Sequence, residues 1–458
     1  VAVVQSTLDQ LVERGRVVAG GFRPDHRGSE YCEVDVLRQI RRRTVAALRH
    51  EIEPVPATTL ATFLPRWQGL TDRGSGVDGL FSAIEQMAGA QLPASQLESL
   101  VLPARVRDYS PAMLDELLAT GEVAWWGAGA LPGRDGWICL APAELAPLLI
   151  TTPDPVEDPL ALRVLDALAG RAMFARDIAA QLSADALVPE NDVRAALTDL
   201  LWSGQVTNDT LLPVRAHLGG RARIARPVRR TRRRGLPRPA TPPADGRWSL
   251  SPAVAPDAAA RALAQGEALL DRFGVVTREA VQSVGVAGGF SATYRILRAL
   301  EDAGRCRRAY VIEGQGAAQF ALSGAIDMVR ACASMRDAAP ITLAAADPAQ
   351  PFGAALPWPE SSTRPSRSAG ALVTLGAIDE EGTVGPVLYL ARGHRSVTTW
   401  RSSDPAAAAR SLVSALCGAS VNLQRVDGVD VASADPDIVA ALVEAGFART
   451  PSGLRLRA

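Results

Sequence analysis

Lysine is missing from this chain. All 49 basic residues are arginine, balanced by 49 acidic ones, so the net charge is zero and global electrostatics name no partner. A phosphate-binding loop needs a lysine to reach the nucleotide phosphates, so no nucleotide-driven motor is expected in this stretch, and no cofactor either. An arginine-only, alanine-rich composition also reads as the imprint of a GC-rich genome. Cysteine is scarce and scattered: Cys32, Cys139, Cys306, Cys332 and Cys417 form no C-x-x-C pair, and His26, His50, His217 and His394 lie equally far apart. Zinc needs clustered ligands and a disulfide framework needs more thiols. The cysteines therefore read as reduced, mostly buried thiols of a cytosolic protein, with no metal assigned. No run approaches the ~20 apolar residues of a membrane span, and no signal peptide is visible.

What is present is a repeat. A leucine, two residues, a leucine, three residues, a glycine, one residue and a small apolar side chain recur as Leu8, Leu11, Gly15, Val17, and as Leu114, Leu117, Gly121, Val123. Further copies are Leu197, Leu200, Gly204, Val206 and Leu297, Leu300, Gly304, Cys306, with a looser one at Val439, Leu442 and Gly446. Apolar residues three apart mark an amphipathic helix, and the glycine supplies the left-handed stop. A turn-rich tip and a second apolar run follow at 23–34, 131–140 and 313–322. Helix, stop, strand, turn, strand is the tail of a winged helix, whose last helix can enter a DNA groove. The third copy has a turn at Asn208 and Asp209 but a poor return strand. The glycines are 106, 83 and 100 residues apart, so this is a string of modules and no solenoid.

At 458 residues the chain is long enough for three to five domains. It opens inside a helix whose supporting helices are missing, so the reading expects a piece of a longer protein. The expected order is a partial winged helix with connecting helices (1–70), winged helices at 71–150, 157–216 and 256–335, and an Arg/Pro-rich linker at 217–255. Ser110 and Pro111 are the expected N-cap and first residue of the second module's last helix. Helices at 160–168, 175–182 and 191–202 make up the third module. From 336 to 458 the pattern changes to short strands joined by tight turns, read as a small β-barrel with an αβ tail. The fold class is α+β.

Several stretches are candidates for binding. Arg221 to Arg238 holds nine arginines in eighteen residues without an acid, including Arg229, Arg230, Arg232, Arg233 and Arg234. It is the strongest footprint for DNA phosphates; a basic linker docked on an acidic neighbour is the alternative. Arg41, Arg42 and Arg43 form a shorter basic run that a solvated face would also explain. Trp125, Trp126 and Trp137 sit on the second wing, where they either stack on bases or fill a core.

The strings LRHEIEPVPATTLATFLPRWQGL (48–70) and LPASQLESLVLPARVRDYSPAMLDELLATGEVAWWGAGALPGRDGW (92–137) resemble the bacterial Lhr (large helicase-related) family. So do GRWSL (246–250), GAAQFAL (316–322) and ADPAQPFGAALPWP (346–359). The resemblance implies the C-terminal region of a superfamily 2 helicase of DNA repair, without its ATPase domains, in the bacterial cytoplasm at the nucleoid. It also implies similarity to AlkZ-type DNA glycosylases, with tandem winged helices and a β-barrel. Gln315 departs from the apolar residue expected in the turn GQGAAQF.

A base-excising pocket would need neutral readers, apolar walls and a carboxylate. Gln315 and Gln319, Phe352 and Trp358, and Asp347 as the catalytic carboxylate are the candidates; Asp347-Pro348 also fits a turn opener, and the two aromatics also fit barrel filling. DNA, single-stranded or damaged, is the expected partner, with self-association into a homo-oligomer and no membrane. A tandem winged-helix transcription regulator and a purely structural oligomerisation region are the rival readings.

Overall fold

The computed structural model describes residues 2–22, 29–40, 53–184, 187–219, 246–316, 318–336, 338–416 and 418–457. The repeated motif folds the same way each time. Gly15, Gly121, Gly204 and Gly304 all have φ between 65° and 79°. The amide after each glycine donates back to the second leucine of its motif: Arg16 to Leu11, Glu122 to Leu117, Gln205 to Leu200 and Arg305 to Leu300, at 2.9–3.1 Å. This is the Schellman stop, in which a left-handed residue lets the chain satisfy a helix-end carbonyl and leave as a strand. The tail repeats it, with Phe447 donating to Leu442 at 3.1 Å.

The first copy gives the helix Ala2–Glu13 and the pair Val17–Gly20 with Glu30–Glu33. In the second, Gly76–Gln86 and Pro111–Thr120 pack around a hairpin, Val123–Leu131 with Asp135–Pro142, which Leu92–Pro93 extends to three strands. Ser110 stands in the N-cap position there, but its hydroxyl makes no cap bond. The third has helices Pro159–Ala167, Ala175–Leu182 and Glu190–Trp202. Its return strand, weak after Asn208, is supplied by Trp248–Leu250, which pairs with Val206–Asn208. The two strands of this sheet therefore lie on either side of the Arg-rich stretch in sequence. In the fourth, Ala258–Phe273, Arg278–Val284 and Gly289–Asp302 carry a three-stranded sheet of Val275–Val276, Gln319–Ala321 and Arg307–Ala309.

Trp125 and Trp126 are core residues, the first donating from its indole to the Asn208 carbonyl at 2.8 Å. The third module locks onto the second where side chains are absent: a Cβ on Gly127 would lie 2.0 Å from the Leu201 carbonyl, and one on Gly136 2.3 Å from the Trp202 ring.

The expected barrel strands form a six-stranded sheet in the order Ile341–Ala344, Leu372–Ala377, Val384–Leu390, Ser396–Thr399, Arg425–Val426, Val429–Asp430. Hydrogen bonds do not join its two ends among the described residues, so no closed barrel is shown. The sheet is buried on both faces. Leu372, Leu388 and Leu390 belong to a core shared with the second and third modules and the tail, whereas Val373, Leu375 and Tyr389 belong to one shared with the fourth module. Alternation along a strand sends neighbours to opposite faces. The helix Leu60–Trp67 joins the second of these cores, with Phe63 fully buried and the Trp67 indole donating to the Asp271 carbonyl at 2.7 Å.

Candidate nucleic-acid interface

Four helices end in the repeated stop, and their charges differ. Ala2–Glu13 and Pro111–Thr120 contain no arginine. In the latter, Asp115 is engaged by Arg215 at 2.7 Å, so a neighbouring helix covers part of that face. Glu190–Trp202 exposes Glu190, Asp192 and Asp199, and its one arginine, Arg194, is held by Glu190 at 2.6 Å. Gly289–Asp302 is the exception: Arg295 and Arg298 are exposed and Arg307 follows on the wing, whereas Arg305 on the turn is held by Glu267 at 3.2 Å. A duplex carries one negative charge per ~1.7 Å of axis; the fourth helix presents Arg295 and Arg298 to such a charge, with Glu301 and Asp302 confined to its C-terminal end.

A cleft of 390 Å³ opens between the second and fourth modules. The helix Arg278–Val284 lines it with Ala280, Ser283 and Val284, and leads through Gly285–Gly288 into Gly289–Asp302. Gly89–Gln91 and Trp137 of the second module form the opposite wall, and the loop 346–355 its floor, with Arg272 and Arg367 between them. No carboxylate is among the lining residues. Arg272 is 5% exposed; it donates to the Ala88 carbonyl at 2.5 Å, and its Nε has no hydrogen-bond partner. Arg367 donates to the carbonyls of Gln350, Ala346 and Asp347 at 2.6–3.1 Å. Burial pulls both guanidinium pKa values down to about 10. Cys139 is buried nearby, and desolvation pushes its thiol up to about 12, which leaves it unreactive.

The carboxylate of Asp347 engages Arg105 through two hydrogen bonds of 3.0 and 2.7 Å, and both side chains are 1% exposed. Arg105 also donates to Gln68 at 2.5 Å, and Gln68 to the Arg272 carbonyl at 2.9 Å. Asp347 accepts from the Ala349 amide at 2.8 Å, an Asx turn at the start of the cleft floor. Gln319, fully buried, accepts from the amides of Val311 and Ile312 and donates to the carbonyls of Ile312 and Gly316, which pins the turn of the wing. Gln315 donates to the Ala355 carbonyl at 2.9 Å and accepts from Thr277. Phe352 and Trp358 pack together at 6.0 Å, and Trp358 stacks on Trp400 at 6.1 Å. Asp347 and Phe352 belong to the loop 346–355, and Gln315 and Trp358 contact it, yet none of these residues, nor Gln319, lines the cleft.

Arg41, Arg42 and Arg43, and Arg229, Arg230, Arg232, Arg233 and Arg234, lie outside the described residues. Arg105, Arg272, Arg367, Arg295 and Arg298 were not singled out by motif. The signal for the last two was the arginine content of the four repeated helices; for Arg272 it was a charge set among Leu269, Leu270 and Phe273 on an apolar helix face. Among the described residues no group of three or more His, Cys, Asp or Glu is placed to hold a metal, and no helix is long and apolar enough to cross a membrane.

Helix, stop, strand and wing, repeated along the chain, define a tandem winged-helix protein. Residues 55–143 and 255–341 each match a winged-helix domain of large helicase-related proteins. The whole chain aligns at 42% identity with a protein of Mycolicibacterium smegmatis named Lhr helicase/probable uracil glycosylase. Over 99% of its length it is 35% identical to an Escherichia coli protein named Lhr helicase/uracil glycosylase. The chain belongs to the large helicase-related family, and it spans about a third (32%) of the length of each of these relatives.

Proposed function

We propose that this chain is the C-terminal, DNA-binding region of an Lhr-type repair helicase, and that it grips DNA mainly through Gly289–Asp302 and the wing beside it. The supporting observation is that this repeated helix alone exposes arginines that no acid engages. Arg229, Arg230, Arg232, Arg233 and Arg234, five of the nine arginines of the 221–238 stretch, and Arg41, Arg42 and Arg43 add phosphate contacts. Changing Arg295 and Arg298 together to Ser is expected to weaken binding of random duplex and single strands alike. The salt slope should fall by roughly one unit per lost contact. Fluorescence anisotropy at several salt concentrations checks this, and unchanged affinity and slope overturn it. A transcription regulator would instead prefer one duplex sequence.

Base excision is the second reading, favoured by the cleft beside the helix Arg278–Val284 and by the names of the two relatives. It requires Asp347 to leave Arg105 when DNA is bound. Single-turnover release of uracil by the parent and not by Asp347→Asn supports that role, and equal rates in the two chains remove it. Self-association is expected as well, because Val429–Asp430 ends the sheet with an exposed edge. A monomer by light scattering at micromolar concentration would end that expectation.

A further inference from the structure

We propose that the cleft is a phosphate-recognition site of nucleotide size, in which Arg272 and Arg367 hold the phosphate and the walls around Trp137 and Phe273 take the rest of the nucleotide. Two other enclosed arginines of this protein are met by acids. Arg105, as deeply buried as Arg272, is met by Asp347 through two hydrogen bonds. Arg215, partly buried, is met by both Glu98 and Asp115 at 2.7 Å. Among the described residues Arg272 and Arg367 are hydrogen-bonded by backbone carbonyls alone and both line one cavity; the Asp347 carboxylate that bears on Arg367 is already paired with Arg105.

A desolvated cation without a counter-ion is costly to keep. Arginine offers a donor fork that matches phosphate oxygens, so an anion in the cleft would supply the missing charge. The volume of 390 Å³ falls in the range of small-molecule sites, about 300–1,000 Å³. The half-buried Trp137 and the buried Phe273 provide flat apolar surface for a base, and Gln91 and Ser283 provide polar groups at the rim. A second hollow of 190 Å³ shares Gly89, Gln91, Arg272 and Val284 with the first. Arg272 therefore stands where the two spaces meet, a suitable place for a phosphate with a nucleoside on either side.

The identity of the phosphate donor rests on the DNA-binding reading; the anion site itself does not. The test is calorimetric titration of the full chain with thymidine 5′-monophosphate, thymidine and inorganic phosphate. The monophosphate is expected to bind tenfold or more tightly than the nucleoside, a factor of about the size expected for hydrogen bonds to a charged group. Inorganic phosphate should compete with it. Arg272→Met and Arg367→Met should each erase the preference and leave the weak thymidine affinity in place, whereas the Arg295→Ser, Arg298→Ser double variant should retain it. That last comparison separates failure of the cleft from failure of the DNA-binding helix.

Oligonucleotides with a 5′-phosphate or a 5′-hydroxyl assign the source: a preference for the first places a strand end in the cleft, and equal binding places an internal phosphodiester there. Equal affinity of the parent for monophosphate and nucleoside overturns the proposal, as does a preference that survives in both Met variants. Circular dichroism reports whether each variant folds. If one does not, the parent's own preference, its competition by inorganic phosphate and the other variant decide.

Discussion

Asp347 and Arg105 show how much one buried pair controls. Their two hydrogen bonds tie the loop that floors the cleft to the second module, and Gln68 ties both to the first helix of the fourth. Asp347→Ala leaves a guanidinium buried without its partner and is expected to cost about 3–5 kcal/mol, read from urea unfolding. The double change Arg105→Met, Asp347→Leu should recover most of that loss, since the charge disappears with its partner. His394 gives a pH dependence of definite sign. Burial lowers its pKa below 6.5, against a smaller opposing pull from its contact with the Gly370 carbonyl. The folded chain therefore holds it neutral, and as the pH falls through 6.5 the unfolded state takes up the proton first, so stability declines. The urea midpoint should drop between pH 7.5 and 5.5 by less in His394→Gln than in the parent. At this scale the Asx turn of Asp347 was legible, because Asp-Pro is a local signal. Its ion pair was not, because Arg105 lies 242 residues away.

The winged-helix elements were the most legible part of the chain, because each depends on a local arrangement of two leucines and a glycine that closes its own hydrogen bonds. The third module shows the limit of that locality. Its return strand lies beyond the Arg-rich stretch, and a pairing across such a distance leaves no periodic trace near Asn208. Docking between modules is equally hidden, since Gly136 looks like any turn glycine until Trp202 is seen against it. Gly136→Ala is expected to destabilise by about 1–3 kcal/mol, because its new methyl must displace a buried indole. Thermal unfolding followed by tryptophan fluorescence would show the second and third modules losing stability together. An unshifted melting temperature would mean that the contact yields freely.

Across the whole molecule, the six-stranded sheet divides the interior into two cores that do not follow the order of the chain. Residues 55–70 come before the second module yet fill the core of the fourth: Val55 exchanges backbone hydrogen bonds with Val311 and Glu313, and Phe63 is fully buried there. A polypeptide of residues 255–341 alone is therefore expected to lack fixed packing. Dye binding to exposed apolar surface and a non-cooperative melt would show this. Phe63→Ala in the whole chain should cost about 3–5 kcal/mol, because removing the buried ring leaves a cavity. A cooperative, dye-free 255–341 would show that the fourth module needs no support from the earlier helix.

By itself the sequence determined the repeated helix-to-strand unit, the change to strand periodicity after 336, and the absence of any lysine-bearing phosphate loop, because each is written in residues that are neighbours along the chain. Only the tertiary structure decided which of the repeated helices leaves its arginines exposed, that Asp347 faces Arg105, and that Arg272 and Arg367 share a cleft. Burial and ion pairing depend on which distant segments meet. Two arginines 95 positions apart acquire a joint chemical role only once the chain has folded them onto the same wall.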